Sequence, residues 1–132
     1  MHIEHLNNPI ELAVAGMRAH NRSVNTVYRN ITNASVTDVG NGKPYRRQEP
    51  VFEMDENGMV RVEEFKSDMS NFIRVYQPSH PNADANGYVQ MPNVNVATEM
   101  ISLNEATRSY EANVAILKRY QQVSETALEL LR

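Results

Sequence analysis

Residues 87–100, GYVQMPNVNVATEM, decide how the chain is divided. A glycine opens the short run from Tyr88 to Met91, which reads as a strand after a tight turn, and Pro92 stops it. Beyond Pro92 neither glycine nor proline recurs, so a long helix is predicted to follow. The link between them is stiff, because proline fixes its own φ and restricts the residue before it, Met91.

Working outward, the breakers sort the rest. Between Pro9 and Gly40 only Gly16 intervenes, whereas Gly40, Gly42, Pro44, Pro50, Gly58, Pro78, Pro81 and Gly87 all fall in the middle. Three segments are expected: an N-terminal helical segment, 1–36; a β-rich connecting region with a loop, 37–92; and a C-terminal helical segment, 93–132. In the first, Ile10, Val14, Met17, Val24, Tyr28 and Ile31 recur at helical spacings, predicting an amphipathic helix over about 9–34, with Asn8 as its N-cap and Pro9 at its first position. In the last, Val96, Met100, Leu103, Thr107, Tyr110, Val114, Leu117, Gln121, Ser124, Leu128 and Leu131 alternate by four and three, the period of a coiled coil. A second stripe, Ile116, Tyr120, Val123, Ala127 and Leu130, runs beside it.

Two adjoining stripes call for more than one partner helix. Length agrees: a C-terminal helix of about 36 residues spans roughly 54 Å and the N-terminal one roughly 38 Å, leaving about 16 Å uncovered within the chain. The expected subunit-interface residues are therefore Val24, Tyr28, Ile31, Leu103, Tyr110, Val114, Leu117, Leu128 and Leu131, with Ile116, Tyr120 and Val123 of the second stripe. The fold class is mainly α with a small β region: long terminal helices pairing as a coiled coil, and a small antiparallel sheet between them. For that sheet, YRRQEPVFEM and GMVRVEEF flank the turn DENG, and SNFIRVY follows. One packed face is expected from Phe52, Val60, Val62, Phe65, Ile73 and Tyr76.

Composition limits the chemistry. The chain has 132 residues, 41% of them hydrophobic, with three Phe, no Trp and a mean hydropathy of −0.54, which leaves little for a thick core. A net charge of −3 gives no electrostatic reason to expect nucleic acid as a partner. Absence of cysteine excludes disulfides, thiolate metal sites and Cys nucleophiles. The opening residues, MHIEHLNNPIELAVAGM, carry acidic residues and a proline where a secretory signal needs a basic start and an unbroken apolar run. Any passage out of the cytoplasm is expected to use another route, without a cleavable signal peptide.

The groups able to carry chemistry have plainer uses. His2, Glu4 and His5 sit at a terminus, His20 lies near the polar Asn21 position of the first helix, and His80 stands between prolines. Arg46 and Arg47 form a doublet read as a solvated face, and Glu99, Glu105 and Glu111 are expected on the polar side of the long helix. No catalytic order, phosphate loop or metal-spaced cluster appears, so no enzyme, cofactor, metal or small-molecule substrate is expected. More pointed are Asn25, Asn30 and Asn33, placed near the end of the first helix, where asparagine caps and bridges.

Those asparagines and the quoted joint carry a resemblance. RNITNASVTDVGNGKPYRRQEPVF and HPNADANGYVQMPNVNVATEMISLNEATRSYEANVAILK are similar to two blocks of the bacterial flagellar basal-body rod proteins, and within them the second block resembles the proximal rod proteins. Gly87, Tyr88, Met91, Pro92 and Asn93 match the second block's motif, with Asn25, Asn30 and Asn33 in or beside the first. Tyr28, Arg29 and Thr32 depart from it, standing where the family has small residues. The resemblance implies a structural subunit exported unfolded through the flagellar export apparatus. It would polymerise with copies of itself and other rod subunits into the periplasmic drive shaft of the basal body, against the motor (MS) ring and its adaptor protein. From another class, a helical-hairpin adaptor or export chaperone of a secretion system would share the heptads but would not need the joint.

Overall fold

The computed structural model describes residues 9–132; the expected Asn8 cap and His2, Glu4 and His5 lie outside them. The element order is α1 (Pro9–Thr32), β1 (Gln48–Met54), β2 (Val60–Ser67), β3 (Ile73–Tyr76), β4 (Tyr88–Met91) and α2 (Val96–Leu130). Proline stands at the first position of α1, where its missing N–H costs nothing. The helix ends two residues short of the expected limit, and its last carbonyls are taken by side chains: Asn33 Nδ2 donates to Arg29 O at 2.8 Å and Thr32 Oγ1 to Tyr28 O at 3.0 Å. At the start of α2, Asn95 adopts an extended backbone and its side chain accepts from Thr98 N.

The helices are antiparallel. Asn30 near the end of α1 meets Glu99 near the start of α2, while Gly16 lies against Asn113. One residue back along α1 therefore matches one residue forward along α2. Their buried positions are small or polar: Ala13, Ala19, Thr26, Val27 and Asn30 on α1, and Glu99 and Ala106 on α2. On α2 the intrachain contact centres on Glu99, Ala106 and Asn113, one residue before Met100, Thr107 and Val114 of the predicted stripe. Met100 stays 46% exposed while Glu99 is fully covered. Gly16 makes this closeness possible, since a Cβ there would stand 2.9 Å from Asn113 Nδ2.

The connecting region differs from the single packed sheet expected of it. β1 pairs only with β2 and β3 only with β4, both antiparallel, giving two separate two-stranded sheets. Of the six residues assigned to a packed face, Val62 alone is buried; Phe52, Phe65, Ile73 and Tyr76 are exposed and Val60 is half-buried. The sheets do not merge because the chain between them turns away. The carbonyls of Asp68 and Ser70 are taken by the side chains of Arg46 and Asn93 instead of a neighbouring strand. Support comes from α1, which packs on β1 and β2. Arg22 Nη1 donates to Val62 O, and the His20 ring lies 5.9 Å from that of Phe52.

Aspartates hold the turns. Asp55 Oδ1 accepts from Asn57 N and Met59 N in the β1–β2 turn, and Asp84 Oδ1 accepts from Asn86 N and Tyr88 N before β4. These amides favour the charged carboxylate, so both groups lie below the usual aspartate range, as does Asp38, which holds Gly40 N and Gly42 N. Gly87 is doubly required. Its φ is +85°, and an added Cβ would fall 2.7 Å from the Tyr76 ring, which itself packs edge-on against Tyr88. Gly87→Ala should therefore destabilise the β3–β4 pair by about 2 kcal/mol. Amide exchange should accelerate at Val75 and Val89 and stay unchanged in β1–β2; equal protection in both proteins would contradict this account of the turn.

Candidate assembly site

Two of the most deeply buried side chains among the described residues are polar. Glu99 is 0% and Asn30 1% exposed, and they meet at a junction of α1, α2 and β1. Asn30 uses its whole amide: Nδ2 donates to Gln48 O at 2.8 Å and to Glu99 Oε2 at 3.3 Å, while Oδ1 accepts from Gln48 N at 3.0 Å and Tyr45 OH at 2.7 Å. To Gln48 it presents a donor and an acceptor as a neighbouring strand would, so the end of α1 completes the edge of β1. Glu99 turns its other oxygen to Arg47 Nε, and Arg47 Nη1 reaches Glu49 and, at 3.5 Å, Asp68.

Arg47 and Glu99 thus stand apart from their expected positions on solvated faces. Burial lowers the Arg47 pKa, but hydrogen bonds to Glu99 and Glu49 outweigh it and the net shift is upward. Burial likewise raises the pKa of the Tyr45 hydroxyl, keeping it a proton donor to Asn30. Arg46 is engaged too, with its guanidinium 4.1 Å from the centre of the Phe72 ring.

The joint closes the same cluster. Pro92 and Asn93 are buried; Asn93 Oδ1 accepts from Arg47 N at 2.8 Å and its Nδ2 donates to Asp68 O, Ser70 O and Ser70 Oγ. One asparagine therefore ties the link before α2 to the start of β1 and to the turn after β2. Among the described residues no buried side-chain N or O lacks a partner, so the junction is fully satisfied.

Of the motif residues, the structure brings Asn30 and Asn93 to this junction, with Met91 half-buried and Gly87 buried beside β4; Asn25 and Tyr88 are exposed, and Asn33 caps α1. The stripe residues fall differently. Val24, Ile31, Leu103, Val114 and Leu117 are half-buried, while Tyr28, Tyr110, Ile116, Tyr120, Val123, Leu128 and Leu131 are exposed. Every residue of α2 beyond Leu117 is exposed, including Val123 at 67% and Leu130 at 82%. Arg119, Val123, Ala127 and Leu130 line a shallow, mainly apolar groove along that end. Surface of this kind on a monomer marks an interaction site. Among the described residues, no group of acidic or histidine side chains could hold a metal ion, and no helix is long and apolar enough to cross a membrane.

Sequence reasoning missed Arg47, Tyr45 and Gln48 as partners of Asn30 and Glu99. Arg47 and Glu99 are 52 residues apart, beyond any local pattern. The one available signal was Glu99 itself, seven residues before Ala106 and fourteen before Asn113 on a small-residue line that the aliphatic stripe overshadows.

Residues 85–130 match the family model described as flagellar basal body rod FlgEFG protein C-terminal, a span that includes the joint and all of α2. Over most of its length the chain is similar to curated proteins named flagellar basal-body rod protein FlgC. It is 36% identical over 128 residues to that of Agrobacterium fabrum, covering 92% of each chain. To that of Salmonella typhimurium it is 35% identical over 130 residues, 95% of this chain and 97% of the relative. To that of Aquifex aeolicus it is 34% identical over 128 residues, 92% and 94%.

Glu99→Ala should destabilise the fold by about 3 kcal/mol, since it removes the buried acceptor shared by Arg47 and Asn30. Urea unfolding measures this. A loss below about 0.5 kcal/mol, the range of an exposed surface change, would contradict the junction.

Proposed function

The chain belongs to the FlgC family of flagellar basal-body rod proteins and is a structural subunit of that rod, and we propose that it polymerises through its terminal helices, paired as a coiled coil, into the drive shaft that carries motor torque. The observation that carries this is the bare end of α2. At 35 residues α2 is about 52 Å long and α1, at 24, about 36 Å, so α1 from Pro9 onward reaches only to about the level of Tyr120. The apolar side chains beyond, Val123, Leu128, Leu130 and Leu131, are met by copies of this chain and by other rod subunits.

In this proposal segments 1–36 and 93–132 form the inner layer of the rod and 37–92 the outer connecting region. Torque passes between the layers through the joint, where Pro92 and Asn93 are buried and Asn93 is bonded to Arg47 and Asp68 at the base of the hairpin. The subunit-interface set is that of the two stripes, with Val24, Tyr28 and Ile31 on α1 and Leu103 to Leu131 on α2. The subunit is exported unfolded by the flagellar export apparatus without a cleavable signal and assembles in the periplasm. Its neighbours there include the motor ring and its adaptor protein. Its role is structural and not catalytic, and its place is the basal body.

Substitution at an exposed position separates assembly from folding. Val123→Asp should leave the subunit's own stability within about 0.5 kcal/mol, because the side chain is mostly in water. In the rod the same carboxylate would be buried unpaired, at a cost of several kcal/mol. Cells carrying it should export the protein yet build no rods by electron microscopy of basal bodies. Normal rods would mean that this face meets solvent and would overturn the proposal.

A further inference from the structure

The contacts between α1 and α2 do not fall where the apolar residues would put them. Asn30 with Glu99 and Gly16 with Asn113 lie two heptads apart on both helices, and between them α1 presents small residues to the seam, with Ser23 opposite Ala106 and Thr26 opposite the half-buried Leu103. A seam of such residues hardly distinguishes one heptad register from the next. Sliding α1 by one heptad toward the end of α2 would bring Met17, Val14 and Ile10 level with Arg119, Gln122 and Thr126, onto the mainly apolar groove that those residues line with Val123 and Leu130. That slide would set Asn30 against Ala106 and Gly16 against Tyr120. It would strip Glu99 of Asn30, and Asn30 of the Gln48 backbone.

We propose that Asn30, Glu99 and the Gly16–Asn113 contact are register-setting residues, holding the helix pair one heptad short of the alignment its apolar side chains favour. A polar residue in a heptad seam fixes register in this way, at some expense of stability. The consequence is that the last turns of α2 stay free for a second copy of the chain, a clause that rests on the rod-subunit reading above.

Cysteine cross-linking reads the register directly, since the chain has no cysteine of its own. Thr26→Cys with Leu103→Cys reports the observed register and Thr26→Cys with Tyr110→Cys the slipped one; none of the three belongs to the lock. Each pair is placed in the full-length chain, alone and combined with Glu99→Leu or with Asn113→Leu, and oxidised in cells. Intramolecular disulfides are then identified by peptide mass. With the lock intact the first pair should link and the second should not. With either leucine the second should become a major product and the first should fall.

Persistence of the first link alone in both leucine variants would overturn the proposal, because attachment to the hairpin would then set the register. Loss of the first link without gain of the second would also overturn it, since the polar contacts would then hold the pair together without choosing its alignment. Absence of both links in the parent chain would contradict the helix pair itself. These links are intramolecular, so their pattern stands whether or not the rod-subunit reading holds; that reading is tested separately by whether slipped variants lose rods.

Discussion

One buried carboxylate organises this subunit. Glu99 sits at the meeting point of both helices and the first strand, and its charge is tolerable there only because Arg47 and Asn30 both reach it. Each partner comes from a different element. Arg47 precedes β1, its main chain is held by Asn93 of the joint, and Asn30 belongs to α1 while completing the edge of β1 through Gln48. If the hairpin or α1 were withdrawn, Glu99 would lose a partner, so helices, hairpin and joint take up their positions together. The proposed shaft needs that property, because a connecting region that could tilt freely would not transmit rotation from the helices.

The same junction explains why so much apolar surface is left uncovered. With polar and small residues taking the intrachain seam, Met100, Tyr110 and Ile116 are turned outward, and the end of α2 extends past the first described turn of α1. Exposed apolar surface of this extent is costly on a lone subunit, and in the proposed polymer neighbouring subunits cover it. Stability of the single subunit is thus concentrated in hydrogen bonds and ion pairs at one end. In the proposed rod, apolar burial at the other end is left to assembly.

The division into helix, β region and helix was legible because proline and glycine punctuate strongly and the helices carry clear periods. The turns were legible too, from Asp55 with Gly58 and from the stretch before Gly87. What was not legible was which face of α2 meets α1. Aliphatic residues dominate a periodicity, so Met100 and Val114 outweighed Glu99 and Asn113 one residue earlier. The separation of the two sheets was equally hidden, since it depends on Arg46 and Asn93 capturing the carbonyls of Asp68 and Ser70 from distant parts of the chain. Asn30 could be singled out within its asparagine cluster, but its partners could not, because they come together only in the folded chain.

Arg47 and Glu99 act as a unit, and a double-mutant cycle on subunit stability measures how strongly they are coupled. Arg47→Met, Glu99→Leu and their combination are compared with the parent by urea unfolding. Each single change should be strongly destabilising, because it strands the other charge, and the double variant should recover much of the loss, with a coupling of at least about 2 kcal/mol. If instead the two single losses simply add within about 0.5 kcal/mol, the pair is not coupled and the junction does not organise the fold.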